Sequence, residues 1–378
     1  MAYGMLGLIC MNLSPRRSGW TRLHVDKFPP QQASYYNVIR LVSISLLLAA
    51  ALGCVSSQTI PKDLRAAEPV LVWPLPPEDP KIQYVSSVAS PEDLGITKGF
   101  FRKVFEFIFG KTEERIRQPY GVTADGDGRI YIADSALRVV HVFDLPGQKY
   151  WSIRGTSREE FQFPVGVTVD PAGRLYVSDA ERRTIIGFDR GGNAFVTISE
   201  GLQRPAGLAF NAANNRLYVV DVVRHEVLVY DLKGKLAFTF GGRGAENARL
   251  NFPTNVAIDR EGRVYISDTM NFRVQIFQSD GTFISKFGRL GDAMGDLARP
   301  KGIGVDSEGH IYLVEGLFDV VNVFDRAGRL LLTFGNAGVG RGEFWLATGI
   351  FVDAKNRIYV ADSFNSRVQI FQYLHDGS

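Results

Sequence analysis

The sequence is dominated by an internal repeat. The segment EGRVYISDTMNFRVQIFQ, which begins at Glu261, returns as KNRIYVADSFNSRVQIFQ from Lys355, 94 residues later. Weaker copies bring the total to six, at spacings of 42 to 47 residues. Each copy has a Tyr that is followed twelve residues later by a Phe or another Tyr. The six leading tyrosines are Tyr131, Tyr176, Tyr218, Tyr265, Tyr312 and Tyr359.

Each copy has the pattern of four short strands. Runs of β-branched and aromatic residues alternate with turn signals, and no helical period is present. Gly or Asn lies three residues before each Tyr, where a tight turn needs a positive φ, and Asp opens that turn in five copies. The strand Ile130-Tyr131-Ile132 is apolar on both sides and must be covered on both. The pattern predicts an all-β fold, a six-bladed β-propeller of four-stranded blades.

The two ends of the chain predict how the ring closes. The sixth copy stops before a fourth strand, whereas KIQYVSSV at 81–88 is a lone strand pattern ahead of the first copy. We expect residues 81–90 to form the closing strand of the last blade, because that pairing removes an open sheet edge. The propeller then spans 118–378, and residues 91–117 form a linker with one short amphipathic helix.

The copies resemble NHL repeats. In blades four and six, Asp268 and Asp362 are each followed by an Asn three residues later and by Arg-Val two residues after that. The other blades keep the Tyr, the acidic residue and the aromatic, and no unit ends in the Trp-Asp pair of WD40 repeats. The resemblance covers 81–90 and 118–378. It implies the fold and leaves the function open, because such propellers include lyases, lactonase-like hydrolases, sensors and binding scaffolds.

Residues 38–54, VIRLVSISLLLAAALGC, have the pattern of an export signal. Arg40 precedes twelve uncharged residues, a run shorter than the ~20 needed to span a bilayer. The end of the run resembles the lipobox of bacterial lipoproteins, although Ala51 stands where Leu is usual. The resemblance implies acylation of Cys54 and, because Val55 follows rather than Asp, a place in the outer membrane. An ordinary cleaved signal with an incidental Cys is the alternative interpretation.

The chain before the propeller divides into a leader with its signal, 1–53, and a proline-rich tether, 54–80. The polar stretch 1–37 is long for a signal, which favours a true start at Val38. The leader also explains the net charge of +3, since it holds five basic residues and one acidic residue. The remainder has 38 basic and 39 acidic residues, a net charge of −1. A body this close to neutral disfavours nucleic acid as a partner.

The first strands, which are expected to line the central channel, carry no acid, base, His or Cys. Only Asn255 could offer a side-chain ligand, and one neutral amide does not hold a metal. We therefore predict no catalytic residue, metal or cofactor. An acidic residue three positions after each Tyr is interpreted as a loop-shaping acceptor of backbone N–H groups, because a catalytic site would not repeat six times. This ring comprises Asp134, Asp179, Asp221, Asp268, Glu315 and Asp362.

The loops between the second and third strands vary most between blades, which places the function there. They are basic in blades two and three and apolar in blades four to six, a combination that suits a protein-binding patch. A helix predicted at 99–110 could either cover this patch or dock a partner. The predicted partner-binding residues are Arg182, Arg183, Arg224, His225, Phe272, Leu317, Phe318 and Phe364.

These features together predict an exported lipoprotein of the bacterial envelope, held to a membrane through Cys54. Its propeller would bind an envelope protein or a small ligand through the top-face loops. The alternative function is that of a metal-dependent propeller enzyme of the lactonase or lyase type.

Overall fold

The computed structural model describes residues 69–96 and 115–375, and the chain there is built almost entirely from short β-strands. Five four-stranded sheets and one five-stranded sheet form six blades along the sequence. The predicted all-β, six-bladed fold is confirmed. Blades one to three comprise β3–β6, β7–β10 and β11–β14, with two strands ahead of them. In chain order these strands are β1 (Val72–Trp73), β2 (Ile82–Val88), β3 (Pro119–Ala124), β4 (Arg129–Asp134), β5 (Val139–Asp144), β6 (Lys149–Ile153), β7 (Pro164–Val169), β8 (Leu175–Asp179), β9 (Thr184–Phe188), β10 (Ala194–Ile198), β11 (Pro205–Asn211), β12 (Arg216–Asp221), β13 (Glu226–Tyr230) and β14 (Leu236–Gly241).

Blades four and five comprise β15–β18 and β19–β22, and blade six is built on β25–β27. The short β23 and β24 pair in parallel within the connection that leads to blade six. Single 3-10 turns lie at Pro91–Leu94 and Thr269–Asn271. The strands are β15 (Asn255–Ile258), β16 (Val264–Asp268), β17 (Arg273–Phe277), β18 (Phe283–Phe287), β19 (Pro300–Val305), β20 (Ile311–Glu315), β21 (Val320–Phe324), β22 (Leu330–Phe334), β23 (Asn336–Ala337), β24 (Glu343–Phe344), β25 (Ala347–Val352), β26 (Arg357–Asp362) and β27 (Arg367–Tyr373).

The hydrophobic core lies between the blades. Each interface joins the inner strands of one blade to those of the next, as where Tyr131 of blade one packs with Val177 of blade two. The first strand of each blade packs against the first strands of both neighbours, and β25 against β3 completes the ring. All six leading tyrosines are buried in these interfaces. Their even spacing in the sequence thus reflects one large core residue in each blade.

The bottom of each blade is fixed by a turn between its first and second strands. In five blades the leading Tyr hydroxyl donates a hydrogen bond to the Asp that opens this turn, as from Tyr265 to Asp259 at 2.8 Å. The same Asp accepts the backbone N–H four residues later, here that of Arg263. Blade three has Ala212 at this place, and its Tyr218 hydroxyl instead donates to the Ser279 carbonyl of blade four.

Blade six receives its outer strands from the beginning of the described chain. Strand β2 pairs antiparallel with β27, and β1 pairs with β2, so this sheet has five strands. The Trp73 ring packs 5.9 Å from Phe334 and 5.8 Å from Phe371. The predicted tether 54–80 is therefore corrected at its end, because Val72–Trp73 is part of the propeller. Cys54 and the helix expected at 99–110 lie outside the described residues.

Candidate functional site at the top of the propeller

The top face is the one from which the first strand of each blade begins. On it, each loop between the second and third strands is bonded to the connection that enters its own blade, as where Ala180 N–H donates to the Phe163 carbonyl. The ring of six acidic residues lies directly beneath these loops and is fully buried. Asp179, for example, accepts backbone N–H groups from Gln162, Phe163 and Arg182. The hydrogen bonds expected of loop-shaping carboxylates are thus present.

The blades differ in what else contacts these carboxylates. In blade one His141 Nε2 lies 3.2 Å from Asp134, and its Nδ1 lies 2.8 Å from the Tyr150 hydroxyl. In blade five, burial raises the pKa of the Glu315 carboxyl, although three backbone N–H groups oppose this. The His141 contact with Asp134 and the three backbone hydrogen bonds to Glu315 hold the loops of their blades in place. All six carboxylates of the ring are buried.

The channel is narrow because its first strands carry glycine where they approach each other. A Cβ at Gly121 would lie 2.4 Å from the Val165 carbonyl oxygen, and one at Gly166 would lie 2.4 Å from that of Ala206. Five blades have Gly at this position, and blade four has Asn255. The channel encloses about 170 Å³. Asn255 is therefore the exception in the ring of first-strand glycines, and it places an amide group at the mouth of the channel.

A wider pocket of about 420 Å³ opens at this mouth. It shares Tyr120 and Asn255 with the channel and extends beneath the loops of blades four and five. The position before this first-strand Gly varies among the blades and has Tyr120 in blade one and Lys301 in blade five. The pocket is lined by Tyr120, Phe252, Asn255, Met270, Arg299 and Lys301, with small residues between them.

Burial perturbs two titratable groups in this pocket, Lys301 and Tyr120. Burial lowers the pKa of the Lys301 ammonium to about 8, the Arg299 guanidinium acts in the same direction, and Asp319 and Glu315 oppose them. Burial raises the pKa of the Tyr120 hydroxyl, against the effect of Arg204 and Arg299. Near neutral pH the pocket therefore presents a charged amine and a protonated phenol.

The predicted basic residues of blades two and three are largely engaged within the protein. Arg182 pairs with Glu159, and Arg224 pairs with Glu226 at 2.6 Å. His225 is buried, accepts the Phe252 N–H at 2.9 Å and packs on the Phe252 ring. Its expected place among exposed loop groups is thus corrected, because its ring fills the space behind the entry to blade four. Arg183 is exposed.

The predicted apolar residues of blades five and six are at the surface, and the structure adds others beside them. Leu317, Phe318 and Phe364 are exposed, whereas Phe272 is half-buried. Trp345, which the loop pattern did not indicate, packs edge-on against Phe364 with ring centroids 5.6 Å apart. We call six of the exposed apolar residues on the top face of blades four to six the apolar rim. It consists of Phe252, Met270, Leu317, Phe318, Trp345 and Phe364.

Sequence reasoning missed Lys301 and Trp345 for the same reason. Lys301 is the second residue of β19 and Trp345 lies just before β25, so both precede the apolar part of the first strand that the sequence pattern indicates. The signal that could have found Lys301 is the register of the repeat, since Pro-x-Gly recurs at 119–121, 164–166, 205–207 and 300–302. The varied middle residue of that triplet is the one that faces the mouth.

Within 69–96 and 115–375, no group of three or more His, Cys, Asp or Glu is placed to hold a metal ion. Over the same part of the chain, the structure contains no helix with the length and apolar character needed to cross a membrane.

The architecture defines the class: the protein is a six-bladed β-propeller with NHL repeats. Four segments match the NHL repeat, at 161–188, 202–230, 250–277 and 344–371. These segments include blades two, three, four and six, and thus both blades that carry the Asn and Arg of the repeat signature. No curated protein matches the chain.

Solved structures of low sequence identity share the fold. A protein of unknown function from Bacteroides thetaiotaomicron superposes with a TM-score of 0.55 and 16% identity, over 77% of this chain and 75% of the other. The virginiamycin B lyase of Staphylococcus aureus gives a TM-score of 0.51 and 13% identity, over 68% and 95% respectively. The hydrazine synthase of Kuenenia stuttgartiensis gives a TM-score of 0.50 and 14% identity, over 69% of this chain and 96% of the other.

Proposed function

We propose that this propeller is a binding module whose top face docks a partner protein in the bacterial envelope. The observation that carries the proposal is the apolar rim. Its members lie on three adjacent blades, and Leu317, Trp345, Met270 and Phe364 are each about half exposed or more, at 59%, 52%, 50% and 49%. Scattered apolar residues are normal on a surface, but a grouped set of this kind marks an interaction site.

The composition of the rim favours a protein partner. Aromatic residues and Met are enriched in the centres of protein interfaces, where they fill pockets at low entropic cost. Trp345 and Phe364 already contact one another, so little side-chain freedom remains to be lost when a partner covers them. The basic residues of blades two and three would lie at the edge of such an interface, with Arg183 the most available of them.

The proposal also includes the anchor inferred from the sequence. Acylation of Cys54 would hold the propeller close to a membrane, and the segment after it would allow the top face to reach partners in the same compartment. The support for this part is the apolar run that ends at Cys54 and the small Gly53 before it.

The alternative function, a metal-dependent enzyme of the lactonase or lyase type, needs several ligands that converge on one point. The described residues bring together no group of three or more His, Cys, Asp or Glu for this purpose. The lyase among the structural neighbours is 13% identical and supports a common fold only. We therefore favour the binding module over the metal-dependent enzyme.

Crosslinking in cells tests the proposal directly. A photoreactive phenylalanine analogue replaces Phe364 in the rim or, as a matched control, Phe195, a residue of similar exposure on the outer strand β10. We expect a discrete protein adduct from position 364 and none from position 195. Equal adducts from the two positions, or adducts from 195 alone, would contradict docking at the top face.

A further inference from the structure

We propose that the pocket at the channel mouth binds a carboxylate group that is attached to an apolar body, with Lys301 as the cation that recognises it. The inference rests on the proposed binding function of the top face and names the chemistry at its centre. The carboxylate belongs either to a free organic acid or to an acidic side chain or C-terminus of the docked protein.

Three of the polar side chains that line the pocket have no partner within the described part of the chain. The Lys301 ammonium, the Tyr120 hydroxyl and the Asn255 amide all line the pocket, and none of them has a hydrogen bond or ion pair among the described residues. They come from blades five, one and four, so three separate blades direct donors toward one volume. All three residues are partly exposed, so a ligand in the pocket can reach their donors and accept hydrogen bonds from them, including a charge-assisted one from the ammonium.

The surrounding structure accommodates Lys301. The residue that follows the buried carboxylate in blade five is Gly316, and a Cβ there would lie 2.8 Å from Cδ and Cε of Lys301. The equivalent position holds Ser, Ala, Val or Thr in the other blades. Blade five thus lacks a side chain at the place where the aliphatic part of Lys301 lies. Asn255 shows the same kind of departure, since it replaces the glycine found in five blades.

The charged groups around Lys301 suit a single negative charge. Arg299 and Lys301 are the charged residues that line the pocket. The nearby carboxylates are occupied, since Glu315 accepts three backbone N–H groups and Asp319 accepts the Leu346 N–H at 2.8 Å. Arg299 is exposed, so Lys301 is the one partly buried cation beside the neutral donors. This arrangement fits a carboxylate better than a phosphate dianion, which would need a second cation within the pocket to balance it.

The walls of the pocket account for the apolar part of the ligand. Phe252 and Met270 line it on one side and also belong to the apolar rim, so a ligand held at Lys301 can continue outward along them. The volume of about 420 Å³ falls within the range of roughly 300–1,000 Å³ that is usual for small-molecule sites.

The protonation of Lys301 gives the proposal a readout of its own. A carboxylate binds the charged amine, whose pKa in the free protein is about 8 because of burial. Affinity should therefore be constant well below that pH and fall as the pH rises above it. The other charged groups that face Lys301 are Arg299, Asp319 and Glu315. Burial raises the pKa of both carboxyls from their usual acidic values.

The test is an NMR titration of the propeller with a panel of aromatic and aliphatic carboxylic acids, each paired with its neutral amide. We expect acids to bind and amides to bind at least about tenfold more weakly, because a charge-assisted hydrogen bond is lost. Lys301→Met should lose a similar factor, whereas Lys286→Met, at an exposed position on β18, should bind like the wild type. Asn255→Gly, which restores the glycine of the other blades, should fold normally and weaken binding.

The outcomes distinguish the two sources of the carboxylate, a free acid and a partner protein. They also distinguish failure of the carboxylate site from failure of top-face docking. Acidic peptides and their Gln counterparts form a second arm, and preference for peptides over free acids assigns the carboxylate to a partner protein. Equal binding of acids and amides, no binding by any acid, or no effect of Lys301→Met at an unchanged melting temperature overturns the carboxylate site. If Lys301→Met unfolds, the fall of wild-type affinity above pH 8 decides instead. Crosslinking from Phe364 that persists without acid binding leaves top-face docking standing and removes only this inference.

Discussion

Arg273 Nε donates a 2.7 Å hydrogen bond to Asp268, and both side chains are almost completely buried, at 7% and 0% exposure. The remaining guanidinium nitrogens donate to the carbonyls of Ala245, Glu246 and Arg249 in the connection that enters blade four. Blade six repeats the arrangement with Arg367 and Asp362. The Arg of the NHL signature therefore fastens the long entry loop of its blade to the buried carboxylate.

Removal of this buried pair should be costly. Arg273→Met leaves Asp268 without its charged partner and frees three carbonyl groups, so we expect a loss of about 3–5 kcal/mol in the free energy of unfolding. Arg289→Met is the control, because Arg289 is largely exposed in its pair with Asp296 and should contribute less than about 1 kcal/mol. Urea denaturation of both variants measures the difference. Equal losses would show that burial of the pair is not what matters.

A second pair makes stability depend on pH. His310 Nδ1 lies 2.8 Å from Asp306, and this hydrogen bond raises the pKa of His310 above its usual value, with burial acting against it and Glu308 and Asp325 assisting. A raised folded-state pKa stabilises the fold fully below the unfolded value of about 6.5 and loses that effect as the pH rises through the folded value. His310→Gln should therefore destabilise the protein most at acidic pH.

The measurement is urea denaturation of wild type and His310→Gln from about pH 5.5 to pH 9, a window that spans the unfolded-state value. We expect a difference on the order of 1 kcal/mol at the acidic end that shrinks toward the alkaline end. Constant salt keeps screening equal across the series. A difference that stays the same at every pH would show that protonation of His310 is not linked to folding.

Most of the fold follows from periodicity in the sequence, because each blade repeats the same solution. The tyrosines at one core position, the Asp that opens the bottom turn and the acidic residue under the top loop all recur with regular spacing. Val72–Trp73 could not be recognised in the same way, since a two-residue strand between prolines has no period to detect. Its place in blade six depends on contacts with Phe334 and Phe371, which are more than 250 residues away in sequence.

The candidate site was harder to predict because it consists of departures from the repeat. The other blades have different residues at the positions of Lys301, Asn255 and Gly316, and the candidate site depends on these differences. Exposure was also not visible in the sequence: His225 and Arg224 look like loop residues, yet one is buried against Phe252 and the other pairs with Glu226. Such partners come from neighbouring blades or from the next strand, and the order of residues alone does not show them.

The strands contributed by the beginning of the chain should be essential for stability. A variant that starts at residue 69 keeps β1 and β2, whereas one that starts at residue 89 exposes the edge of β27 and loses the fully buried Ile82 and Val88. Each buried aliphatic side chain contributes about 1.5–3 kcal/mol, so the shorter variant should be several kcal/mol less stable. Thermal melting compares the two. Coincident melting curves would mean that blade six does not need these strands.

Membrane attachment should depend on one thiol. Cys54→Ser removes the group that acylation requires, so the variant should move from the membrane fraction to the soluble fraction of the expressing cells. Labelling with a radioactive fatty acid should fail at the same time. The control is Cys10→Ser, which leaves Cys54 in place and should remain attached. Retention of the Cys54 variant on membranes after a salt wash would place the anchor elsewhere.

The apolar rim rather than the basic loops should dominate affinity for the partner that crosslinking identifies. Trp345→Ala and Phe364→Ala each remove an exposed aromatic group that a partner would bury, so each should weaken binding by at least about 2 kcal/mol, or roughly thirtyfold. Arg182 is already paired with Glu159, and Arg182→Glu should change mainly the association rate and its salt dependence. Biolayer interferometry at two salt concentrations separates these effects, with circular dichroism as the check on folding. If Arg182→Glu raised the dissociation rate more than Trp345→Ala did, the basic loops would be the centre of the interface and the rim its edge.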